Sequence, residues 1–438
     1  MRDRIYRLLV SKEALRDGGE LPAEVVEHQP RNFLRHVQAL ALTKTGDGLV
    51  DPKLVLAWIL GSVGAPASAV GLLVPIREAG ALLPQLAMAR RVDAAPKKKV
   101  LWALGATGQA LAVAGMAWVA WPGGETGHRV ASAWGIVALL GVFAVFRALC
   151  SVSYRPLQGA TLLRGSRGAA TGTAGSLGAA AVLGFGALLA ANVVPLSTAS
   201  LAVALAIAAL LWLLAALCVL ALREAPPEES RESGEPPLSL RSSMGLLKDR
   251  RFRRFCLVRA ALLPTALAPP FLVTAEGTPR ALGTLGVFVL ASSGAAVLSS
   301  ALWGRLADRS SRRVLMWSGW MAAAPLALTA WAAQFAPHWL APGWVLPSAM
   351  FILMNAYHGV RIGRATHLVD MAPKGQRAAY TAVSNTLIGA VLAAASGFGV
   401  LAQFGGRGAP LFAFAALCVV AAWLARTLEE VQGPRSAG

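Results

Sequence analysis

The sequence predicts an all-α membrane protein with twelve transmembrane helices in two pseudo-symmetric six-helix bundles. Three observations carry this expectation. Of 438 residues, 56% are hydrophobic and only 14% charged, against about 25% charged in an average soluble domain. Ser197–Leu222, Ala281–Trp303 and Val314–Ala336 hold no Asp, Glu, Lys or Arg, and each exceeds the ~20 apolar residues that cross a bilayer. One such run could be a buried core helix, but three in one chain require a lipid bilayer as solvent. Finally, Lys and Arg alternate sharply from loop to loop along the chain. Of the 41, 34 fall on the side of the N-terminus, counting Lys44 near the mouth of the first span. The opposite loops hold three, Arg129, Arg280 and Arg407, and four lie deeper, Lys53, Arg77, Arg147 and Arg259. That bias places both termini in the cytoplasm of a multi-pass protein of the cytoplasmic membrane. It also explains the net charge of +19 as an orientation signal, with no nucleic-acid partner.

Taken in order, residues 1–38 form a polar cytoplasmic tail whose start, "RDRIYRLLV", is mildly amphipathic and is no signal peptide. The first bundle covers 39–222, with spans expected at 39–62, 66–89, 100–121, 130–152, 169–192 and 197–222. Span one, "LTKTGDGLVDPKLVLAWIL", sets Lys44, Asp47 and Asp51 at i, i+3 and i+7 on one helical face. Pro52 interrupts the backbone ladder beside Asp51. Span two, "LLVPIREAGALLP", buries Arg77 and Glu78 at nearly the depth of Asp51. Neighbours on a helix diverge by ~100°, so Arg77 and Glu78 are not expected to pair with each other. The expectation is an Arg77–Asp51 pair that leaves Glu78 protonatable, with Asp47 closer to the cytoplasm and hydrated. Arg147 in span four lies nearer the cytoplasmic end, where snorkelling is the plain explanation.

Residues 223–254 are a Pro-, Glu- and Ser-rich cytoplasmic linker, too polar to be buried. The second bundle covers 255–427, with spans at 255–275, 281–303, 314–336, 342–363, 378–403 and 408–427, followed by a tail at 428–438. Span seven carries Arg259, with the same snorkelling option, and the breaks Pro264, Pro269 and Pro270. Span ten offers Tyr357, His358 and Arg361, and span eleven the polar Asn385. The halves echo one another: "RGSRGAATGTAGSLGA" (164–179) aligns with "KGQRAAYTAVSNTLIG" (374–389), matching Gly165, Arg167 and Thr171 to Gly375, Arg377 and Thr381. Both segments enter the fifth span of a half, as a duplicated chain requires. The four cysteines fall within spans as small apolar packing residues, without disulfide or metal spacing. No metal cluster, cofactor motif or nucleophile motif is visible, and no periplasmic loop is long enough for a catalytic domain, so an enzyme is not expected.

Between spans eight and nine lies "WGRLADRSSRRVLMW" (303–317). Gly304 would permit close helix approach, and Asp308 could accept hydrogen bonds from a neighbouring helix N-terminus. Gly304, Leu306, Ala307, Asp308, Arg309, Arg312 and Arg313 resemble the signature loop G-x-L-A-D-R-x-G-R-R of the major facilitator superfamily, with Ser311 at the second glycine. Twelve spans, two halves and a cytoplasmic linker extend the resemblance over nearly the whole chain. It implies two bundles rocking about a central site, with Gly304, Asp308, Arg309, Arg312 and Arg313 as a gating loop. The equivalent first-half loop, "PQLAMARRVDAAPKKKVLW", has Met88 where the aspartate belongs. The fifth span also lacks the proline that many drug/proton antiporters of that family carry.

Charges within spans are costly and usually face a bundle interior or a hydrated path. Here they occur in spans one, two, four, seven and ten, while the interiors of spans three, six, nine and twelve carry none. In the resembled family the former line the cavity, apart from span two, and the latter face outward. The expected function is a secondary active transporter working by alternating access. Its partners are a small solute, an anion being favoured, with protons or another coupling ion, and the lipid bilayer; the sequence leaves the oligomeric state open and is compatible with a monomer. Proton-coupling candidates are Asp51, Glu78 and His358. Cavity candidates are Asp47, Arg77, Arg147, Arg259, Tyr357, Arg361 and Asn385. Alternatives are an efflux pump for amphipathic compounds, a non-transporting sensor or scaffold, and a membrane enzyme acting on lipid-linked substrates.

Overall fold

A computed structural model describes residues 6, 10, 22–121, 126–193, 197–225, 245–275, 282–373 and 376–432. Most of the N-terminal tail, the middle of the linker, Arg280, Gly375 and the last six residues lie outside them. Among the described residues there is no strand, and the helices line up as twelve rods. Span one is Gln29–Leu49 with Val55–Ser62, and span two is Ala67–Leu82 with Gln85–Ala94. Spans three to six are Lys98–Ala120, Thr126–Thr161, Arg164–Ala190 and Thr198–Leu220. Span seven is Arg250–Ala261, Pro264–Leu267 and Pro269–Val273, and spans eight to ten are Leu282–Arg309, Ser311–Phe335 and Val345–Met371. Span eleven is Arg377–Ala394 with Gly397–Gly405, and span twelve is Gly408–Ala425.

Eight of these are long and apolar enough to cross a membrane, and span eight joins them as a bent pair. The remaining three, spans one, two and ten, are the rods that carry Lys44, Asp47, Lys53, Arg77, Glu78, Arg361 and Arg364. Spans one and two are divided by breaks at 50–54 and 83–84, and all three carry charge within their length, as spans that line a polar interior do.

The packing repeats. In the first half span one packs on five and six, three on four and six, and two on four. In the second half seven packs on eleven and twelve, nine on ten and twelve, and eight on ten. Adding six to each span number turns the first set into the second, as the 164–179 and 374–389 echo predicts. The halves meet along two related seams, span two against eleven and span five against eight. The seams are closest at the ends away from the chain termini. A Cβ added to Gly71 would stand 2.5 Å from the Gly399 Cα, and one added to Gly286 would stand 2.7 Å from the Leu189 carbonyl carbon. Only glycine permits such backbone approach.

The opposite, terminus-bearing face is tied by hydrogen bonds within each half. Asn32 donates to the carbonyls of Thr161 and Arg223, and the Lys98 amide donates to Glu224. In the second half Arg251 pairs with Glu429 at 2.8 Å, and Ser310 donates to Glu430 at 2.6 Å.

Candidate functional site

Pro52 determines the local shape of span one. It has no N–H and its ring clashes with a carbonyl one turn back, so the helix ends at Leu49 and restarts at Val55. Within the break Asp51 turns back on the chain and accepts from the Lys53 amide at 2.7 Å. This is a turn-capping contact, and it removes Asp51 from the face it would share with Asp47. The break also aims Lys53 across the molecule. The residue is 5% exposed, and its ammonium lies 3.6 Å from the ring centroid of Tyr357 in span ten. The contact is a cation–π bridge between the two halves.

Asp47 is the centre of the charge cluster. Its Oδ1 accepts from Arg77 Nη2 at 3.3 Å and from Arg147 Nη1. The flanking glycines explain how a carboxylate fits there. Gly46 packs on Trp212 of span six and Gly48 on Val182 of span five, so both neighbours close up while Asp47 turns towards spans two and four. Arg77 also reaches Glu78, Nη1 to Oε1 at 3.6 Å. Two expectations are therefore corrected. Arg77 pairs with Asp47 and not with Asp51, because the Pro52 break takes Asp51 off the helical face. Arg77 and Glu78 do pair, because two long side chains anchored at one end curl across the ~100° between their origins.

Of the two paired carboxylates, Asp47 holds two guanidinium groups, whereas Glu78 holds one at a longer distance and keeps 38% of its side chain exposed. Lys53, Arg147 and Arg364 also act on Glu78 electrostatically, and Arg361 and Arg147 act on Lys44. His358 stands edge-on to Tyr357 at 5.3 Å, and Lys53 and Arg361 act on it. Cluster residues of both halves thus face one another.

Arg147 and Arg259 do not snorkel. Arg147 turns to Asp47, and Arg259 is buried with Ser384 and Asn385 of span eleven. Lys53, Ser384 and Arg364 escaped the list of candidates drawn from sequence. Lys53 was signalled by its place inside a proline-broken span; nothing in the sequence singles out Ser384.

The loop between spans eight and nine holds a different arrangement from that expected. Among the described residues a Cβ at Gly304 would meet nothing within 4 Å, so no close helix approach is seen there. Ser310, not Asp308, caps the next helix, accepting from the Arg313 amide at 3.1 Å. Arg312 pairs with Glu430 at 3.4 Å, and Ser311 Oγ lies 2.8 Å from His367 Nδ1. The His367 ring stacks on Phe255 of span seven at 5.3 Å. Among the described residues no group of His, Cys, Asp and Glu could hold a metal ion.

Residues 39–397 match the sequence model of the Major Facilitator Superfamily. No curated protein matches the chain. Solved structures do. The nucleoside transporter NupG (D323A mutant) aligns with a TM-score of 0.66 at 14% identity, over 91% of this chain and 100% of its own. A D-xylose–proton symporter gives 0.68 at 12%, over 92% and 99%. The inward-open xylose transporter XylE from E. coli gives 0.68 at 12%, over 91% and 97%. At such identities the likeness concerns the fold.

Proposed function

The chain belongs to the major facilitator superfamily, and we propose that it is a secondary active transporter that moves a small anionic solute by alternating access, coupled to protons. The observation that carries this reading is the charge cluster at the meeting of the halves. Asp47 is shared by Arg77 and Arg147, Glu78 is held by one long ion pair, and Lys53 bridges to Tyr357 of the other half. Charges inside spans are costly, so such a cluster at a seam between mobile halves argues for work done there.

Cations outnumber carboxylates in the cluster: Lys44, Lys53, Arg77, Arg147, Arg361 and Arg364 stand against Asp47, Asp51 and Glu78. The surplus favours an anion. Glu78 is the carboxylate freest to take a proton, since Asp47 is doubly paired and Asp51 caps its own turn. Its protonation removes a negative charge from the solute's path, so proton and anion bind cooperatively. The surplus of Lys and Arg on the terminus-bearing face orients that face to the cytoplasm.

The test is flux in proteoliposomes loaded with a pH dye, challenged in turn with small organic anions, sugars, nucleosides and lipophilic cations. An internal pH change evoked by one anion class and abolished in Glu78→Gln is expected, with the mutant still inserted. A pH change evoked by lipophilic cations alone would replace this reading with efflux of amphipathic compounds. Labelled solute moving without any proton would remove the coupling.

A further inference from the structure

Arg259 is 7% exposed. Its Nη1 donates to Ser384 Oγ at 2.6 Å and its Nη2 to Asn385 Oδ1 at 2.9 Å. Its Nε is buried without a partner. Among the described residues no carboxylate pairs with it. The formal charge that acts on it is Arg364, of the same sign. This is unlike the first half, where Asp47 serves both Arg77 and Arg147.

A buried charge without a counter-ion is among the costliest arrangements in a protein. Lysine could escape by losing its proton, but a guanidinium does so only with great difficulty. Ser384 and Asn385 fix the plane of the group without neutralising it. They occupy two of its five donors, leaving Nε–H and two others for a ligand. The remaining means of compensation is an anion from outside.

The position suits a transported ligand. Arg259 is nine residues into the helix that starts at Arg250, Ser384 seven into the helix that starts at Arg377, and Arg364 seven before Met371. At ~1.5 Å per residue the three stand at one level, ~10–14 Å in from the terminus-bearing ends of spans seven, ten and eleven. Arg364 also acts on Glu78, so the same cation faces the protonatable carboxylate of the first half and the uncompensated arginine of the second.

We propose that Arg259, Arg364 and Ser384 form an oxyanion seat in the second half, which takes the carboxylate or phosphate group of the solute. The proposal deepens the transport reading and rests on its anionic solute. It divides the labour: the first half handles the proton at Glu78, and the second half holds the charged end of the cargo. The planar fork of Arg259 favours a bidentate oxyanion over a spherical halide.

The test is thermal unfolding of the purified full chain in a non-ionic, phosphate-free detergent. Sodium phosphate and sodium acetate are titrated separately against sodium chloride at matched ionic strength. A saturable rise in Tm with one oxyanion and not with chloride is expected, and which salt gives it identifies the group. Arg259→Gln raises the half-saturating concentration about tenfold or more, and Arg259→Lys, which keeps an amine that the anion can hold protonated but loses the fork, gives an intermediate value. If Arg259→Gln does not fold, Ser384→Ala and Arg364→Gln carry the same expectation. A shift that chloride matches, or one unchanged in these variants, overturns the seat. Anion transport unaffected by Arg259→Gln sinks the seat and leaves the transport reading standing. Oxyanion binding lost in Arg259→Gln, with no flux of any anion in the wild type, does the reverse.

Discussion

At the scale of single residues, Asp47 carries the first half's polar interior. Its side chain is 25% exposed and its two partners 13% and 33%, so the pairs are screened in part but not solvated. Asp47→Asn leaves two guanidinium groups facing each other with no shared carboxylate. Removing one partner of a fully buried pair costs about 3–5 kcal/mol, and discounting for the residual exposure leaves a loss of about 1–3 kcal/mol. Chemical unfolding in detergent measures it. Adding Arg147→Gln to Asp47→Asn relieves part of the excess charge, so the double variant is more stable than the sum of the single effects. Strict additivity would mean that the contact contributes nothing as a pair. Charge inside an apolar run is visible in one dimension, so the sequence singled out Asp47, Asp51, Arg77, Glu78, Arg147 and Arg361, but it gave no role to Lys53 or Arg364. It misassigned the partners because pairing depends on rotation about the helix axis. Pro52 shifts that rotation by an amount no spacing rule supplies, and so Asp51 and Asp47 exchanged places.

At the scale of elements, the span boundaries were legible because hydropathy and the Lys/Arg alternation report on the bilayer directly. The breaks in spans one, two, seven and eleven were only partly so. Proline marks those at 50–54 and 262–269, but nothing as plain marks the turn at Ala395 and Ser396 that separates Arg377–Ala394 from Gly397–Gly405. That turn sets Gly399 against Ala67, Ser68 and Gly71 on one seam, while Gly286 sits on the backbone of Leu189 and Ala190 on the other. The seams are related by the duplication, so they should open and close together. Valine at position 286 places its Cβ hard against the Ala190 amide nitrogen and 2.7–2.8 Å from the Leu189 carbonyl carbon and the Ala190 Cα, which can be relieved only by moving span five off span eight. Gly286→Val is therefore expected to raise, several-fold, the rate at which a water-soluble thiol reagent labels Ser68→Cys on the other seam. The native cysteines Cys150, Cys256 and Cys418 are buried and add little background, and the partly exposed Cys218 is replaced by serine in the parent protein. An unchanged rate would show that the two seams move independently.

At the scale of the whole molecule, the halves repeat their packing but not their electrostatics. The fold-wide symmetry of contacts is what a duplicated chain retains, since packing is set by many small residues at once. Charge is set by few residues and diverges freely. The first half keeps its arginines balanced by Asp47, whereas the second leaves Arg259 beside Arg364 without an acid among the described residues. This asymmetry has a consequence for linkage. If an anion neutralises the second half while a proton neutralises Glu78 in the first, each ligand makes the other easier to bind, by the same factor in both directions. Solute affinity should then rise as pH falls, and adding solute to wild-type protein in weakly buffered solution should draw protons out of the medium, up to one per solute bound. The pH electrode reads this without any membrane gradient. In Glu78→Gln the uptake should vanish and the affinity should lose its pH dependence, staying at the level the wild type reaches in acid. Uptake that persists in Glu78→Gln and disappears in Asp51→Asn would move the proton to the broken turn of span one and leave Glu78 as a fixed partner of Arg77.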